Sequence, residues 1–383
     1  MAFKRIDTKL IHAGQPRIAG AVEMPIFQSA MFESAGETSY HDLGYIRLNN
    51  TPNHKALHAK LAALEGAEEA LIAASGMAAI STTLFTVLSA GDHLLAQSTL
   101  YGGTQDLIIH EFPKFGIAVD LIDADDASSW HAKLRPNTKA IYVEAMTNPL
   151  LNVADIEGVV AFARANNLVS LIDNTFATPV NFRPIEAGFD LVLHSATKFL
   201  NGHADIVGGV VAGRADWIKR ITHRMNHLGG CMDPHAAFLL NRGLMTLALR
   251  MRHQNQSTLR IAQFLQGHRA VAKVNYAGLE SHPRHARARK LFGGFGGVLS
   301  FELHGPAEQA DRLIKKVTLP AVAPSLGGIR SLITRPAVTS HAGLSREERL
   351  RAGIGDGLIR LSVGIEDTDD LVEDLEQALR LLS

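Results

Sequence analysis

The sequence of 383 residues predicts an α/β protein: a large domain built on a mostly parallel sheet, then a smaller C-terminal α+β domain. Two observations support this fold class. Between residues 55 and 245, short apolar runs alternate with segments of helical spacing, which is typical of parallel strands covered by helices on both faces. After residue 245 this alternation ends, and one long helix precedes fewer, more widely spaced elements.

The individual elements follow from hydrophobic spacing. Residues 54–65 place Leu57, Leu61 and Leu64 on one face, which predicts an amphipathic helix. The other predicted helices of the large domain are 76–88, 103–112, 127–134 and 156–166, and its predicted strands are 69–74, 93–97, 117–122, 140–144, 168–173 and 191–194. The C-terminal domain has predicted helices 244–267, 307–317 and 369–382 and predicted strands 297–303 and 357–363.

The first 50 residues contain repeated chain breakers, among them Gly14, Pro16, Gly20 and Pro25, and show no sustained periodicity. We therefore expect an irregular arm that lies on another surface, such as a partner subunit. The predicted divisions of the chain are this arm over 1–54, a central domain over 55–245 and a C-terminal domain over 246–383.

Composition and charge exclude several classes of function. Hydrophobic residues make up 46% of the chain, charged residues make up 20%, and the formal net charge is zero, which argues against nucleic-acid binding. The single cysteine, Cys231, excludes an internal disulfide and fits a reducing compartment, so we expect a cytoplasmic protein. Residues 70–91 carry no charge, but serine and threonine interrupt them, and a buried strand, turn and helix explains them better than a membrane span.

The segment Ser195-Ala196-Thr197-Lys198 directly follows the apolar strand predicted over 191–194. Its two hydroxyls suit a phosphate, and its amine suits a Schiff base with an aldehyde. A small molecule that carries both groups is pyridoxal 5′-phosphate (PLP). A lysine on the protein surface is the plain alternative for Lys198.

Asp173 ends the predicted strand 168–173, at the sheet edge where open α/β sheets bind their ligands. A carboxylate beside the pyridine nitrogen of PLP keeps that nitrogen protonated, which makes the ring an electron sink. The alternative is a helix N-cap, because Asp173 is followed by an asparagine and a threonine.

A phosphate cup is predicted from Ser75-Gly76-Met77 together with Ser195 and Thr197. Ser75 and Gly76 lie at a strand-to-helix junction, where free backbone N–H groups and the helix dipole favour an anion, although a plain turn has the same residues. Tyr101 follows the predicted strand 93–97, and its aromatic face can stack on the pyridine ring.

Arg360 interrupts an otherwise apolar strand, and an inward-facing arginine needs an anion. The α-carboxylate of an amino-acid substrate fits, and a structural ion pair is the alternative. The basic segment 282–290 is interpreted as a solvated helix start rather than a nucleic-acid or metal site, because no cysteine or acid completes a set of metal ligands. We expect no metal cofactor.

These motifs, with others in the same order, make the chain resemble the Cys/Met-metabolism family of PLP enzymes over almost its whole length. The family includes cystathionine γ-synthase, cystathionine γ-lyase, cystathionine β-lyase, methionine γ-lyase and the O-acylhomoserine sulfhydrylases. The further motifs that carry the resemblance are Ile11-His12-Ala13-Gly14, Tyr45-Ile46-Arg47, Tyr101-Gly102-Gly103-Thr104, Glu144-Ala145-Met146-Thr147-Asn148-Pro149, Ser325-Leu326-Gly327-Gly328 and Arg360-Leu361-Ser362-Val363-Gly364.

The resemblance implies the PLP-dependent transferase fold of aspartate aminotransferase (fold type I), with residues 55–245 as the PLP-binding domain. It also implies homotetramers built from two active dimers, in which Tyr45 and Arg47 reach the phosphate of the neighbouring subunit. Asn148, Ser325 and Arg360 match residues that hold a cofactor oxygen and the substrate carboxylate. Lys198 and Tyr101 are the predicted catalytic residues.

The resemblance further implies γ-replacement or γ-elimination on a homoserine-derived or cystathionine-type amino acid, as in cystathionine γ-synthase or γ-lyase. Pro324 stands where many members carry glutamate, which favours the synthase slightly, and Arg330 occupies another position that is commonly glutamate. The alternatives are methionine γ-lyase, O-acylhomoserine sulfhydrylase and cystathionine β-lyase. More remote alternatives are a PLP aminotransferase and a non-catalytic binding protein.

Overall fold

The computed structural model describes residues 3–381, which contain a seven-stranded and a five-stranded sheet. The strands of the large sheet are β1 Glu69–Ala73, β2 His93–Gln97, β3 Ala118–Ile122, β4 Thr138–Glu144, β5 Val169–Asp173, β6 Leu191–Ser195 and β7 Gly209–Gly213. The strands of the second sheet are β8 Val271–Asn275, β9 Val298–Leu303, β10 Ala321–Val322, β11 Leu332–Thr334 and β12 Ile359–Ser362.

The large sheet has the order β1-β7-β6-β5-β4-β2-β3. Strands β2 to β6 run parallel, and β7 pairs antiparallel with both β1 and β6. This arrangement confirms the predicted α/β class with its mostly parallel sheet and smaller second sheet, the architecture of fold type I PLP enzymes. The division of the chain at residues 54 and 245 stays a prediction.

Helices cover both faces of the large sheet and pack on the second sheet. They are α1 Ile6–His12, α2 Pro52–Glu65, α3 Gly76–Val87, α4 Gly102–Asp106, α5 Ala127–Lys133, α6 Ile156–Ala165, α7 Thr178–Asn181, α8 Pro184–Ala187, α9 Ala215–Leu228, α10 Pro234–Met245, α11 Leu247–Gly267, α12 His285–Leu291, α13 Glu308–Ile314, α14 Arg346–Arg351 and α15 Thr368–Arg380. Successive side chains of the parallel strands alternate between two separate apolar cores, one on each face.

One face of α11 connects the two sheets. Arg250 Nη1 donates to the carbonyl of Phe199 at 2.7 Å, in the turn that follows β6. One helical turn later, Gln254 Nε2 donates to the carbonyls of Gly328 and Val363, both at 3.0 Å. Gly328 lies in the loop before β11, and Val363 directly follows β12. The two sheets are therefore held against the same helix.

The N-terminal segment is more ordered than the sequence predicts, because it contains α1. Lys9 Nζ donates to the carbonyl of Ala63 at 2.8 Å, and Lys60 Nζ donates to the carbonyl of Leu10 at 2.8 Å. These bonds tie α1 to α2 of the same chain. Seven residues allow too few hydrophobic repeats for the helix to be recognised from periodicity.

Two predicted helices differ from the observed ones. The helix predicted over 103–112 is α4 followed by a π-helical turn, Leu107–Glu111, and a 3₁₀ turn, Phe112–Phe115, where Pro113 supplies no backbone N–H. The helix predicted from residue 244 is divided at Thr246, whose φ of −103° and ψ of 2° separate α10 from α11.

The uncharged segment 70–91 forms β1, a turn and α3, as predicted. No described helix combines the length and the hydrophobicity that a bilayer crossing requires. The basic segment 282–290 contains most of α12, and three of its cations form ion pairs: Arg284 and Arg287 contact Asp125, and Lys290 Nζ lies 2.8 Å from Glu157 Oε1.

Candidate active site

A cavity of about 570 Å³ opens where the carboxyl ends of several strands of the large sheet meet the second sheet. This is the edge at which a parallel sheet presents side chains from separate loops to one ligand. The predicted site residues that line it are Ser75, Gly76, Met77, Tyr101, Asn148, Asp173, Ser195, Thr197, Lys198, Ser325 and Arg360.

Lys198 lies in the turn after β6, and its Nζ donates to Ser325 Oγ at 2.6 Å. Burial and the positive charge of Arg360 together lower the pKa of this amine to about 8. A substantial fraction of the amine is therefore neutral near physiological pH. This is the state that a nucleophile or a general base requires.

Asp173 ends β5, and its Oδ1 accepts a hydrogen bond from the backbone N–H of Thr175 at 2.9 Å. Burial raises the pKa of this carboxyl, whereas hydrogen bonds from Thr175 and the electrostatic effect of His194 oppose the rise. No lysine or arginine within residues 3–381 forms an ion pair with Asp173. A buried carboxyl with no such partner, on the cavity wall, fits the nitrogen of a pyridine ring.

The predicted phosphate cup is formed by the first turn of α3 and the end of β6. Ser75 caps α3, because its Oγ accepts from the backbone N–H of Ala78 at 2.9 Å. A Cβ placed on Gly76 would lie 2.9 Å from the Ser195 Cβ, so only glycine lets the first turn of α3 approach the end of β6 this closely. Thr197 Oγ1 accepts from the backbone N–H of Gly208 at 3.0 Å. The cup suits a phosphate at a helix N-terminus.

Tyr101 forms the aromatic wall at the start of α4 and is 44% exposed. Its backbone N–H donates to Glu144 Oε1 at 2.6 Å. A Cβ on Gly103 would lie 2.7 Å from Tyr101 Cε1, so the glycine makes room for the ring. The exposed ring face is therefore available for stacking.

Arg360 lies on β12 and is buried. Its Nη1 donates to Asn148 Oδ1 at 3.1 Å, and its Nη2 donates to the backbone carbonyl of Ser325 at 2.7 Å. Burial lowers the pKa of the guanidinium to about 10, so it stays charged at neutral pH. Because its described partners are neutral, the geometry fits a carboxylate ligand better than a structural ion pair.

Tyr45 and Arg47 lie outside the cavity of their own chain. Arg47, in the 3₁₀ turn Ile46–Leu48, donates from Nη1 to the carbonyl of Asn226 at 2.6 Å. Its guanidinium carbon lies 5.6 Å from the centre of the Tyr45 ring. The role predicted for this pair in a neighbouring subunit stays a prediction.

Glu144 has no assigned role in the sequence analysis, yet it lies at the base of the cavity. It ends β4 directly opposite Asp173 on β5. Burial raises the pKa of Glu144 well above its usual range, and the neighbouring Asp173 raises it further. Its position at a strand end is the same signal that identified Asp173.

Other lining residues carry little or no sequence signal. Thr175 Oγ1 accepts from the backbone N–H of Ser195 at 2.8 Å and so joins β5 to β6. Thr339 and Ser340 come from a loop of the second domain and reach the cavity only through the tertiary fold. Pro324 also lines the cavity and is exposed. Arg330 is exposed too, but it does not line the cavity.

The cavity fits PLP in each of its parts. The amine of Lys198 suits the aldehyde, Asp173 suits the pyridine nitrogen, and the start of α3 at Ser75 and Gly76, packed closely on Ser195, suits the phosphate. The sheet, the helices and these side chains together define the class of fold type I PLP enzymes.

Comparison with known proteins gives the family. The model of the family "Cys/Met metabolism PLP-dependent enzyme" matches residues 7–380. The chain belongs to this family. It is 42% identical to cystathionine beta-lyase of Lactococcus lactis subsp. cremoris over 98% of each chain. It is also 40% identical to cystathionine gamma-lyase of Bacillus subtilis, over 97% of this chain and 98% of the relative.

A solved structure gives the same result. Cystathionine gamma-lyase from Lactobacillus plantarum, crystallised in complex with L-serine, superimposes with a TM-score of 0.94 and 38% sequence identity. The match covers 98% of this chain and 99% of that chain. The protein is thus a PLP-dependent enzyme of sulfur amino-acid metabolism.

Proposed function

We propose that the protein catalyses γ-replacement or γ-elimination on a homoserine-derived or cystathionine-type amino acid, as cystathionine γ-synthase and γ-lyase do. One observation carries this proposal. Ser325 binds the Lys198 amine through its hydroxyl at 2.6 Å and the Arg360 guanidinium through its carbonyl at 2.7 Å. Ser325 therefore holds the proton-transfer group, Lys198, and the carboxylate anchor, Arg360, close to each other. A substrate whose α-carbon lies next to its carboxylate requires this arrangement.

When bound, PLP supplies an electron sink for negative charge that develops at the substrate α-carbon. Arg360 and Asn148 hold the α-carboxylate, which directs the Cα–H bond towards Lys198. The Nζ of Lys198 accepts this proton, and the same amine then moves a proton at the β-carbon so that the γ-substituent can leave. The pKa of Lys198, lowered to about 8, allows the amine both to accept and to donate near neutral pH.

The remaining residues bind and orient the cofactor. Asp173 holds the proton at the pyridine nitrogen, Tyr101 covers one ring face, and the cup of Ser75, Gly76 and Met77 with Ser195 and Thr197 receives the phosphate. These roles rest on burial, hydrogen bonds and the close approach of Gly76 to Ser195.

After the γ-substituent has left, a thiol such as cysteine can add at the γ-carbon, or hydrolysis can yield a 2-oxo acid and ammonia. Pro324 on the cavity wall provides no carboxylate for a distal substrate amine. We therefore slightly favour γ-replacement, the synthase reaction, over cleavage of cystathionine.

Cystathionine β-lyase is a second candidate, because the relative from Lactococcus lactis, at 42% identity, bears that name. The two cleavages release different products from cystathionine. Cleavage at the γ-carbon gives cysteine, 2-oxobutanoate and ammonia. Cleavage at the β-carbon gives homocysteine, pyruvate and ammonia.

Two assays on the holoenzyme separate these functions. In the first, O-acylhomoserine and cysteine are supplied together, and formation of cystathionine supports the synthase reaction. In the second, cystathionine is supplied alone and the two 2-oxo acids are separated by chromatography. Pyruvate without 2-oxobutanoate, together with no reaction in the first assay, would overturn the proposal of γ-chemistry.

We further propose that the protein is a cytoplasmic homotetramer of two active dimers, in which Tyr45 and Arg47 complete the phosphate cup of the neighbouring subunit. The contact of Arg47 with α9, outside its own cavity, supports this role. The single cysteine, Cys231, supports a reducing compartment.

Mixed subunits test the shared site. Inactive Lys198→Ala and Arg47→Ala chains, refolded together, should recover about a quarter of wild-type activity, because each mixed dimer then contains one intact site. The control mixes Lys198→Ala with Asp173→Asn. No activity should return there, since both residues belong to the same subunit's site. Absence of recovery in the first mixture contradicts a site shared between subunits.

A further inference from the structure

We propose that His341 is a positioning residue for the carboxylate-binding end of the site, an inference that rests on the proposed function. His341 lies in the loop between the 3₁₀ turn Pro336–Val338 and α14, and only 3% of it is exposed. No sequence motif marks it.

His341 joins two parts of the cavity wall. Its Nδ1 lies 2.9 Å from the hydroxyl of Ser340, which lines the cavity. The ring also faces the backbone of Asn148, the residue whose side chain accepts from Arg360, and His341 and Asn148 line one small cavity. Asn148 is therefore flanked by Arg360 at its amide oxygen and by His341 at its backbone.

The imidazole in this position is neutral. Burial and the charges of Arg360 and Arg349 together lower the pKa of His341 to about 4. A neutral ring has one N–H donor and one acceptor nitrogen. It can therefore donate to the carbonyl of Asn148 and accept from the Ser340 hydroxyl without adding a cation beside Arg360.

The same loop also contacts the aromatic side of the cavity. A Cβ on Gly102 would lie 2.5 Å from the carbonyl oxygen of Ser340, so this carbonyl packs directly on the first residue of α4. Tyr101 precedes that residue. His341 thus connects the loop that contains Ser340 with Asn148 and Arg360, the two residues proposed to hold the substrate carboxylate.

Glycine binding to the holoenzyme tests the proposal. Glycine has the α-carboxylate and amine but no β-carbon, so it binds without elimination. His341→Leu should lower the affinity for glycine about tenfold, as measured by calorimetry. A loss of this size corresponds to one or two buried hydrogen bonds. The KM for substrate should rise similarly, whereas kcat at saturation should change less than about threefold.

Two further variants separate positioning from general damage. His341→Gln keeps a donor for the Asn148 carbonyl, so glycine affinity should return to within about threefold of wild type. His282→Leu is the matched control. His282 is also a buried histidine with a pKa lowered to about 4, but it lies outside the cavity, so glycine affinity should not change.

Unchanged glycine affinity in His341→Leu, or equal losses in His341→Leu and His282→Leu, would overturn the proposal. If His341→Leu does not fold, Ser340→Ala decides, because it removes only the hydroxyl partner: weaker glycine binding supports the role and unchanged binding refutes it. Glycine affinity does not depend on turnover. A wild-type protein that binds glycine but processes no sulfur amino acid would therefore refute the proposed function alone.

Discussion

The Lys198 amine donates to the Ser325 hydroxyl at 2.6 Å, which joins the turn after β6 to the loop before β11. Ser325 has a φ of +84°, a left-handed conformation that is unusual for a residue with a side chain. Such a conformation costs about 1–3 kcal/mol and persists where the surroundings hold it. It lets the hydroxyl face Lys198 while the carbonyl accepts from Arg360.

Replacement of Ser325 tests this relationship. Ser325→Ala removes the acceptor of the Lys198 amine, and we expect kcat to fall about tenfold because the amine loses its orientation. Ser325→Gly also removes the hydroxyl, although it relieves the backbone strain. Because the hydroxyl is missing in both variants, kcat should fall equally in Ser325→Gly and Ser325→Ala. Full activity in either variant contradicts a role for the hydroxyl.

The lowered pKa of Lys198 predicts how the apoprotein reacts with PLP. Only the neutral amine attacks an aldehyde, so the rate should rise with pH and level off above the pKa of about 8, rather than climbing towards 10.5. Stopped-flow absorbance after addition of PLP measures the rate. Lys198→Ala is the necessary control, because burial also lowers the pKa of Lys60 to about 8. If the reaction of PLP with Lys198→Ala shows the same pH dependence, another amine reacts and the prediction for Lys198 is wrong.

The two buried carboxyls should respond differently to amide replacement. Asp173→Asn removes the negative charge proposed to face the pyridine nitrogen, a contact of about 4 kcal/mol at an effective dielectric of ~20, so PLP affinity should fall up to about a thousandfold. Glu144 has a pKa raised well above its usual range, so it resembles an amide already. Glu144→Gln should keep PLP affinity within about fivefold.

Equilibrium dialysis with absorbance detection measures both affinities. Equal losses in Asp173→Asn and Glu144→Gln would contradict the assignment of Asp173 as the acid of the pyridine nitrogen, since both carboxyls line the same cavity. Circular dichroism confirms that each variant is folded.

The phosphate cup makes a prediction about Gly76. In Gly76→Ala the new methyl group would lie 2.9 Å from the Ser195 Cβ, so either α3 or the end of β6 must move. We expect PLP affinity to fall about tenfold and unfolding free energy to drop by about 1–3 kcal/mol. Gly267→Ala is the control, since nothing lies within 4 Å of a Cβ there. That change should leave PLP binding unaffected, and equal effects at both positions would refute the cup.

The sequence predicts what local chemistry determines. Strand β2 has its predicted bounds, 93–97, because an apolar run stands between clear breakers. Lys198 and Asp173 were identified because polar groups that directly follow parallel strands meet at one sheet edge. The cavity brings both of these residues together with Arg360, although their roles await the experiments above.

What the sequence does not predict depends on contacts between distant residues. Strand β7 is short, begins and ends with glycine, and is defined by its antiparallel partners β1 and β6. His341 lies in the second domain and Asn148 follows β4 of the large sheet, so no periodicity of the sequence marks their approach. Tyr45 and Arg47 need a second copy of the chain before their role can be tested.

The arrangement of α11 has a consequence for how substrates enter. Arg250 and Gln254 are four residues apart, about 6 Å along one helical face, and they bind the turn after Lys198 and the two loops beside Arg360. A stiff helix keeps that separation constant, so the base and the carboxylate anchor travel together. A substrate therefore enters a cavity whose two sides can separate only if these three hydrogen bonds break.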